Sequence, residues 1–316
     1  MKITVLAGGV GGAKLVDGLA RIVDPGDLTV IVNTGDDFIH LGLQICPDLD
    51  TVCYTLAGIA NPDTGWGRKD ESWTVISEIE RLGGPAWFRL GDQDIATHLE
   101  RTRRIQAGQS LSQITRSFCE AWGVGVRVLP MSDRAVSTWV ETEELGWLPF
   151  QEYFVKKHCA PIVKGFNFRG ASQAEPAPGV LQTLREADLI VIAPSNPWVS
   201  IGPILSIPGV LNELRNRKDC IAVSPLIGGK AIKGPAAKMY TEMGLEPNNL
   251  TVAQHYRPFV KVLVIDEGDQ EDIESIQGMD VIPFVTKTFM KTVEDRVFLA
   301  QEVLRIWSSH GGQITS

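Results

Sequence analysis

The opening run Ile3-Thr4-Val5-Leu6-Ala7-Gly8-Gly9-Val10-Gly11-Gly12-Ala13-Lys14 decides the fold class. Its first five residues, apolar and partly β-branched, read as a buried strand; the glycines read as a tight turn, and Ala13 to Ile22 as the helix that follows. Leu28 to Val32 supplies a second strand, so the chain begins as a βαβ unit. The rhythm returns at Ala187 to Ala193, Cys220 to Val223, Val260 to Ile265 and Val281-Ile282, and a helix around Val293 to Trp307 closes it. Near-continuous Val/Ile/Leu runs belong to strands covered on both faces, as in a parallel sheet. The expected fold is α/β, a doubly wound, mostly parallel sheet.

Between residues 64 and 174 the pattern changes. Trp73 to Leu82, Asp94 to Ile105 and Leu111 to Trp122 read as capped helices, and Val126 to Leu129 with Ser137 to Glu141 as a small β element. This stretch is expected to be a helix-rich α+β insertion forming a wall or lid. Residues 1–63 and 175–308 would then be the nucleotide- or diphosphate-binding core, and 309–316 a tail.

A net charge of −8 leaves no electrostatic footprint for nucleic acid or an anionic membrane, so a small-molecule partner is expected. Five scattered cysteines with no C-x-x-C pair argue against a disulfide framework and suit a reducing cytoplasm. The longest apolar runs are strand-sized, too short to span a bilayer.

In an open parallel sheet the carboxyl ends of the strands share one edge, and four strand-end loops should meet there. Gly8 to Lys14 offers backbone N–H groups and a helix start to a phosphate, through Gly9, Gly11, Gly12 and Lys14. Its spacing fits neither the dinucleotide fingerprint nor the P-loop, so a ligand-free turn is the plain alternative. Asn33-Thr34-Gly35-Asp36-Asp37 and Pro47-Asp48-Leu49-Asp50-Thr51 put four acids within fifteen residues. Clustered carboxylates beside a phosphate loop suit Mg²⁺, which takes oxygen ligands and is shared with phosphates. Asp36 and Asp50 are the expected metal and catalytic residues; Asp48 reads as a solvated turn residue, and Asp50 also as the N-cap of a helix from Thr51 to Ala57. The third loop, Ala193 to Pro203, brings Ser195, Asn196 and Ser200; the fourth, Ser224 to Gly234, brings Gly228, Gly229 and Lys230, with Lys233 read equally as a solvated charge.

From the insertion come Gly65-Trp66-Gly67, Trp87 to Asp92 and Asp94 to His98. Asp94 and His98 share a helix face, which reads either as an acid–base pair or as a cap beside a buried histidine. His40, His158, His255 and His310 have no ligand-like spacing and read as structural.

Gly8 to Leu15, Asn33 to Asp37, Pro47 to Thr51, Leu90-Gly91-Asp92-Gln93-Asp94, Phe150 to Val155 and Pro194 to Pro197, in this order, resemble the 2-phospho-L-lactate transferases of coenzyme F420 biosynthesis. The resemblance runs from Met1 to about Trp307. It implies a Rossmann-like core, a homodimer, Mg²⁺ as cofactor, and transfer of a phosphorylated three-carbon acid from a guanosine-diphosphate-linked donor to the terminal ribitol hydroxyl of the deazaflavin Fo, with release of GMP. On that reading Gly9 to Gly12, Ser195, Asn196 and Ser200 bind phosphates, Lys230 adds charge to the leaving group, Asn33 and Asp37 are further substrate contacts, and Asp92, Thr97 and His98 are Fo-side contacts. Two rivals are a uridine-nucleotide-sugar-binding regulator of the same superfamily, which lacks the Trp87 to Asp92 and Phe150 to Val155 blocks, and a nicotinamide oxidoreductase, against which the missing third glycine and the acid cluster both count.

Overall fold

The computed structural model describes residues 1–215, 217, 219–231 and 236–310. From the N-terminus come β1 (Ile3–Ala7), α1 (Gly9–Ala20), β2 (Leu28–Val32), the hairpin β3 (Phe38–His40) and β4 (Leu43–Ile45), and α2 (Pro47–Leu56). Helices α3 (Thr74–Arg81), α4 (Asp92–Gln106) and α5 (Leu111–Ala121) lead to β5 (Arg127–Pro130). A small antiparallel sheet, ordered β7 (Gly146–Pro149), β6 (Ser137–Thr142), β8 (Val163–Arg169), precedes α6 (Val180–Glu186) and β9 (Leu189–Ile192). After α7 (Gly202–Ser206) and α8 (Val210–Arg215) come β10 (Cys220–Val223), the hairpin β11 (Leu226–Ile227) and β12 (Lys230–Ala231), α9 (Ala236–Glu242) and α10 (Asn249–Tyr256). The chain ends with β13 (Val262–Asp266), α11 (Ile273–Gln277), β14 (Ile282–Thr286) and α12 (Val293–His310).

Seven strands form one parallel sheet in the order β14-β13-β10-β9-β1-β2-β5. Strand order runs outward from β1 in both directions, so the topology switches between β1 and β9, where a doubly wound sheet opens its ligand crevice. Helices cover both faces, which is why β1, β9, β10 and β13 are buried at every position. On one face, α1, α2 and α12 bury Leu15, Val16, Leu19, Val52 and Leu299 against the sheet; on the other, α6, α8 and α10 bury Leu184, Leu214 and Val252. Each such side chain contributes about 1.5–3 kcal/mol.

One boundary moves. The sequence reads Val126 to Leu129 as part of a small β element in the insertion, but β5 pairs in parallel with β2, from Thr29 opposite Arg127 to Val32 opposite Pro130, and is the edge of the main sheet. Its alternating partners in sequence are local to the insertion; its long-range partner is chosen by an open strand edge. The small sheet is built instead from β6, β7 and β8, the last of which shows no clean alternation in sequence.

Candidate functional site

The carboxyl ends of β1, β2, β9, β10 and β14 open onto one crevice of about 740 Å³, roofed by the insertion. Its floor is the switch point. Gly8 N–H donates to Ser195 Oγ at 3.1 Å, and Ser195 Oγ donates back to Gly8 O at 2.7 Å, so one hydroxyl clips the loop after β1 to the loop after β9. The glycines are demanded by this closeness: a Cβ on Gly11 would lie 2.3 Å from Pro194 O, and one on Gly12 2.7 Å from Ser195 Oγ. Gly9, at φ +62°, opens α1 in a conformation that favours glycine.

The acids converge from two loops. Asn33, wholly buried at the end of β2, donates through Nδ2 to Asp48 Oδ2 at 2.9 Å and to Val199 O at 3.3 Å, and accepts Gly35 N–H at 2.8 Å. This amide holds the Asp48 carboxylate against the glycine turn, where a Cβ on Gly8 would be 2.5 Å from Asp48 Oδ2. Burial pushes Asp48 up to about 6. Burial, then the charge of Asp48, pushes Asp36 well above the usual carboxylate range. Asp36 Oδ1 is buried without a hydrogen-bond partner, and no basic side chain among the described residues pairs with either acid. Two buried carboxylates with no counter-charge are costly as anions, and a proton or a bound cation relieves the cost.

That donor set fits a hard divalent ion. Among the described residues no group of three or more His, Cys, Asp or Glu side chains is arranged to hold a metal. Two carboxylates and substrate oxygens are the sharing that Mg²⁺ commonly adopts.

Asp50 differs from its sequence reading. It lies inside α2, which begins at Pro47 with Cys46 as its cap, so Asp50 caps nothing. Both its oxygens are taken by the buried Arg101: Nη1 donates to Oδ2 at 3.1 Å and Nη2 to Oδ1. Burial raises the Asp50 carboxyl and these two contacts pull it back. Asp50 lines the crevice but is already neutralised, whereas Asp48, read in sequence as solvated, is buried beside Asp36.

The crevice also gathers Gly9, Gly11, Lys14, His98, Ser195, Asn196 and Ser200. Asn196 Oδ1 caps the turn Pro197–Ile201 by accepting Trp198 and Val199 N–H at 3.0 and 3.3 Å. Ser200 Oγ makes no hydrogen bond among the described residues and is a hydroxyl available to the crevice, as is the unpartnered Tyr54 OH. Lys14 Nζ donates to Met290 O at 2.6 Å, tying α1 to the loop after β14.

Several expected residues are elsewhere. Gly12 is packed under Ser195, and Asn33 and Asp37 lie outside the lining. Asp92 caps α3, accepting Ser72 Oγ, Thr74 N–H and Val75 N–H, of which Ser72 does most to hold it below the usual carboxylate range. Thr97 faces a separate shallow depression with Arg68, Phe118 and Trp122. Gly228 and Gly229 form the left-handed turn of the β11–β12 hairpin, outside the crevice. The side chain of Lys230 and the whole of Lys233 lie outside the described residues.

The aromatic wall comes from the insertion: Trp66, Phe88, Phe150 and Phe154, the last two stacked at 5.4 Å. His158, read as structural, lines the crevice, as do Thr288 to Met290, which no motif marks. Asp266 holds that segment through Thr288 N–H and Oγ1, at 2.8 and 2.9 Å.

At the switch point the crevice joins a glycine turn, the buried carboxylates Asp36 and Asp48 and an aromatic wall, and the family model described as 2-phospho-L-lactate transferase CofD matches residues 3–285. The chain belongs to the 2-phospho-L-lactate transferase family. It is therefore a transferase of a phospho-acid in coenzyme F420 biosynthesis. A phosphoenolpyruvate transferase of Kitasatospora aureofaciens is 42% identical over 313 residues, covering 97% of this chain and 98% of its own. Another, from Thermobifida fusca, is 43% identical over 294 residues, covering 89% and 90%. A solved structure from Bacillus halodurans, described as a UPF0052 family member, shares the fold at a TM-score of 0.64 and 14% identity, over 96% of this chain and 98% of that one. Among the described residues of this 2-phospho-L-lactate transferase relative, no helix is long and apolar enough to cross a membrane.

Proposed function

We propose that this crevice moves a phosphoenolpyruvyl group from a guanosine-diphosphate-linked donor to the terminal ribitol hydroxyl of the deazaflavin Fo, releasing GMP. The observation that carries the reading is the pairing of uncompensated Asp36 and Asp48 with the glycine turn, facing four aromatic side chains across one cavity. The three-carbon acid is taken from the relatives, which bear that name at about 40% identity; phospholactyl and phosphoglyceryl donors are the alternatives.

The reaction is an in-line displacement: the hydroxyl oxygen bonds to phosphorus, the phosphorus–oxygen bond to GMP breaks, and the hydroxyl proton leaves. Such transfers need positioning and charge neutralisation more than covalent help. The backbone N–H of Gly11 at the start of α1 and the Ser200 hydroxyl orient the diphosphate, while the Gly9 N–H is directed at Asp48. Asp36 and Asp48 would hold Mg²⁺, which supplies neutralisation of the diphosphate charge. Asp94, pushed up to about 7 by burial and then by Asp50, lines the crevice and suits the role of proton acceptor near neutrality. Trp66, Phe88, Phe150 and Phe154 take the planar tricycle.

Mass spectrometry of the product formed from Fo with each candidate donor, with Mg²⁺ and with chelator, tests the proposal. A phosphoenolpyruvyl–Fo product that needs Mg²⁺ supports it; no transfer to Fo from any guanosine-linked donor refutes it. The homodimer, which rests on the resemblance, is read from light scattering of the purified protein.

A further inference from the structure

His98 sits on α4 in the crevice wall, and its two ring nitrogens meet different surroundings. Nδ1 lies 3.1 Å from Arg101 Nη1. A guanidinium has only protons to give, so Nδ1 must accept and carries none. The nearest acid, Asp50 Oδ2, is 3.6 Å from Nδ1 and is already taken by the same guanidinium, beyond hydrogen-bond reach. Nε2 has no partner among the described residues and is not among the buried unpaired atoms, which leaves it at the crevice surface. Arg101 Nη1 has two protons for three acceptors, Asp50 Oδ2 and His98 Nδ1 at 3.1 Å and Gln44 O at 3.3 Å, so one proton is shared, while Nη2 donates to Asp50 Oδ1.

We infer that His98 is kept as a neutral imidazole with its proton on Nε2, a stationary N–H donor for an oxygen or ring nitrogen of the planar substrate, and that Arg101 is the positioning residue that locks it. The substrate named rests on the acceptor reading above. The crevice that His98 lines also carries Trp66, Phe88 and Leu90, so a planar ligand with polar edge atoms would lose water on entering it, and an N–H donor on the wall offsets that loss. Burial, then Arg101, depresses the imidazole well below its ordinary value, in keeping with a ring that stays neutral. A neutral ring is the better partner for an acceptor that must stay uncharged, since an imidazolium would give up its proton.

Nitrogen NMR of ¹⁵N-histidine-labelled protein at pH 7 tests the lock without any turnover. The resonances missing from His98→Gln are expected to be those of an Nε2-protonated neutral ring; an Nδ1-protonated ring or an imidazolium overturns the inference. Replacing the buried pair together, Asp50→Asn with Arg101→Met, avoids stranding one charge and should give a mixture of tautomers; a ring still wholly Nε2-protonated removes Arg101 as the lock. Fo titration, followed by its own fluorescence, tests the ligand. His98→Gln, which retains an N–H donor, should bind Fo within about threefold of wild type, and His98→Leu about tenfold more weakly. Equal affinity of wild type and His98→Leu overturns the assignment. A wild type that binds no Fo would refute the acceptor reading and the ligand named here, while the nitrogen spectrum still judges the tautomer by itself.

Discussion

Asp48 and Asp36 face each other's charge in a buried place, and Asn33 is the only side chain among the described residues that hydrogen-bonds Asp48. Asp48→Asn should therefore fold, because the new amide oxygen still accepts Asn33 Nδ2, yet lose about a hundredfold or more in kcat with Fo affinity kept. Turnover with a circular-dichroism melt checks this; retention of more than about a tenth of the activity would remove Asp48 from the site. Asp36→Asn is the matching variant, and a cleaner one than Asp50→Asn, which leaves buried Arg101 without its counter-charge. Asp94 gives a pH signature. Its folded value of about 7 lies above its unfolded one, so its contribution to stability is full at low pH and lost as pH rises through 7. Asp94→Asn, which does not ionise, should gain on wild type in apo-protein melting temperature from pH 5 to 7 and gain no more above pH 8. An advantage that shrinks with rising pH would contradict the assigned direction.

The elements pack closely at two glycines of α1, with different consequences. Gly18 lets α1 lie against α12, where a Cβ would be 2.1 Å from Arg296 O, and the pair is further joined by Asp17 to Arg296 at 2.9 Å. Gly11 lets the start of α1 lie against the loop after β9. Both alanine variants should lose about 1–3 kcal/mol in denaturant melts. Only Gly11→Ala should also raise the donor KM, since only it moves a wall of the crevice; an equal KM effect from Gly18→Ala would mean the two act through stability alone. Helices α1 to α5 and α12 and the strands of the main sheet could be read from period and composition. The sheet that β5 joins could not, because a four-residue strand does not say which open edge it will pair with. Nor could the roles of Asp48 and Asp92: the two acids look alike in sequence, and differ because Asn33 and the glycine turn enclose one while the start of α3 claims the other.

Across the whole molecule, the excess of acid is spent unevenly. Asp17 and Asp50 are paired with arginines, whereas Asp36 and Asp48 have no basic partner among the described residues. Millimolar Mg²⁺ should therefore raise the apo-protein melting temperature at pH 8, and less at pH 5.5, where protons compete for the carboxylates. Asp36→Asn should abolish the rise; a rise that survives it would put the ion elsewhere. The sequence by itself determined the α/β class, the strand-end loops and the family resemblance, because buried strands and tight turns leave period and glycine signatures within a few residues. Only the tertiary structure decided which acids face the crevice and which are paired, and that Arg101 meets both Asp50 and His98. Burial and counter-charge arise between segments far apart in the chain, Asp50 and Arg101 being 51 residues apart, and spacing along one segment carries no record of them.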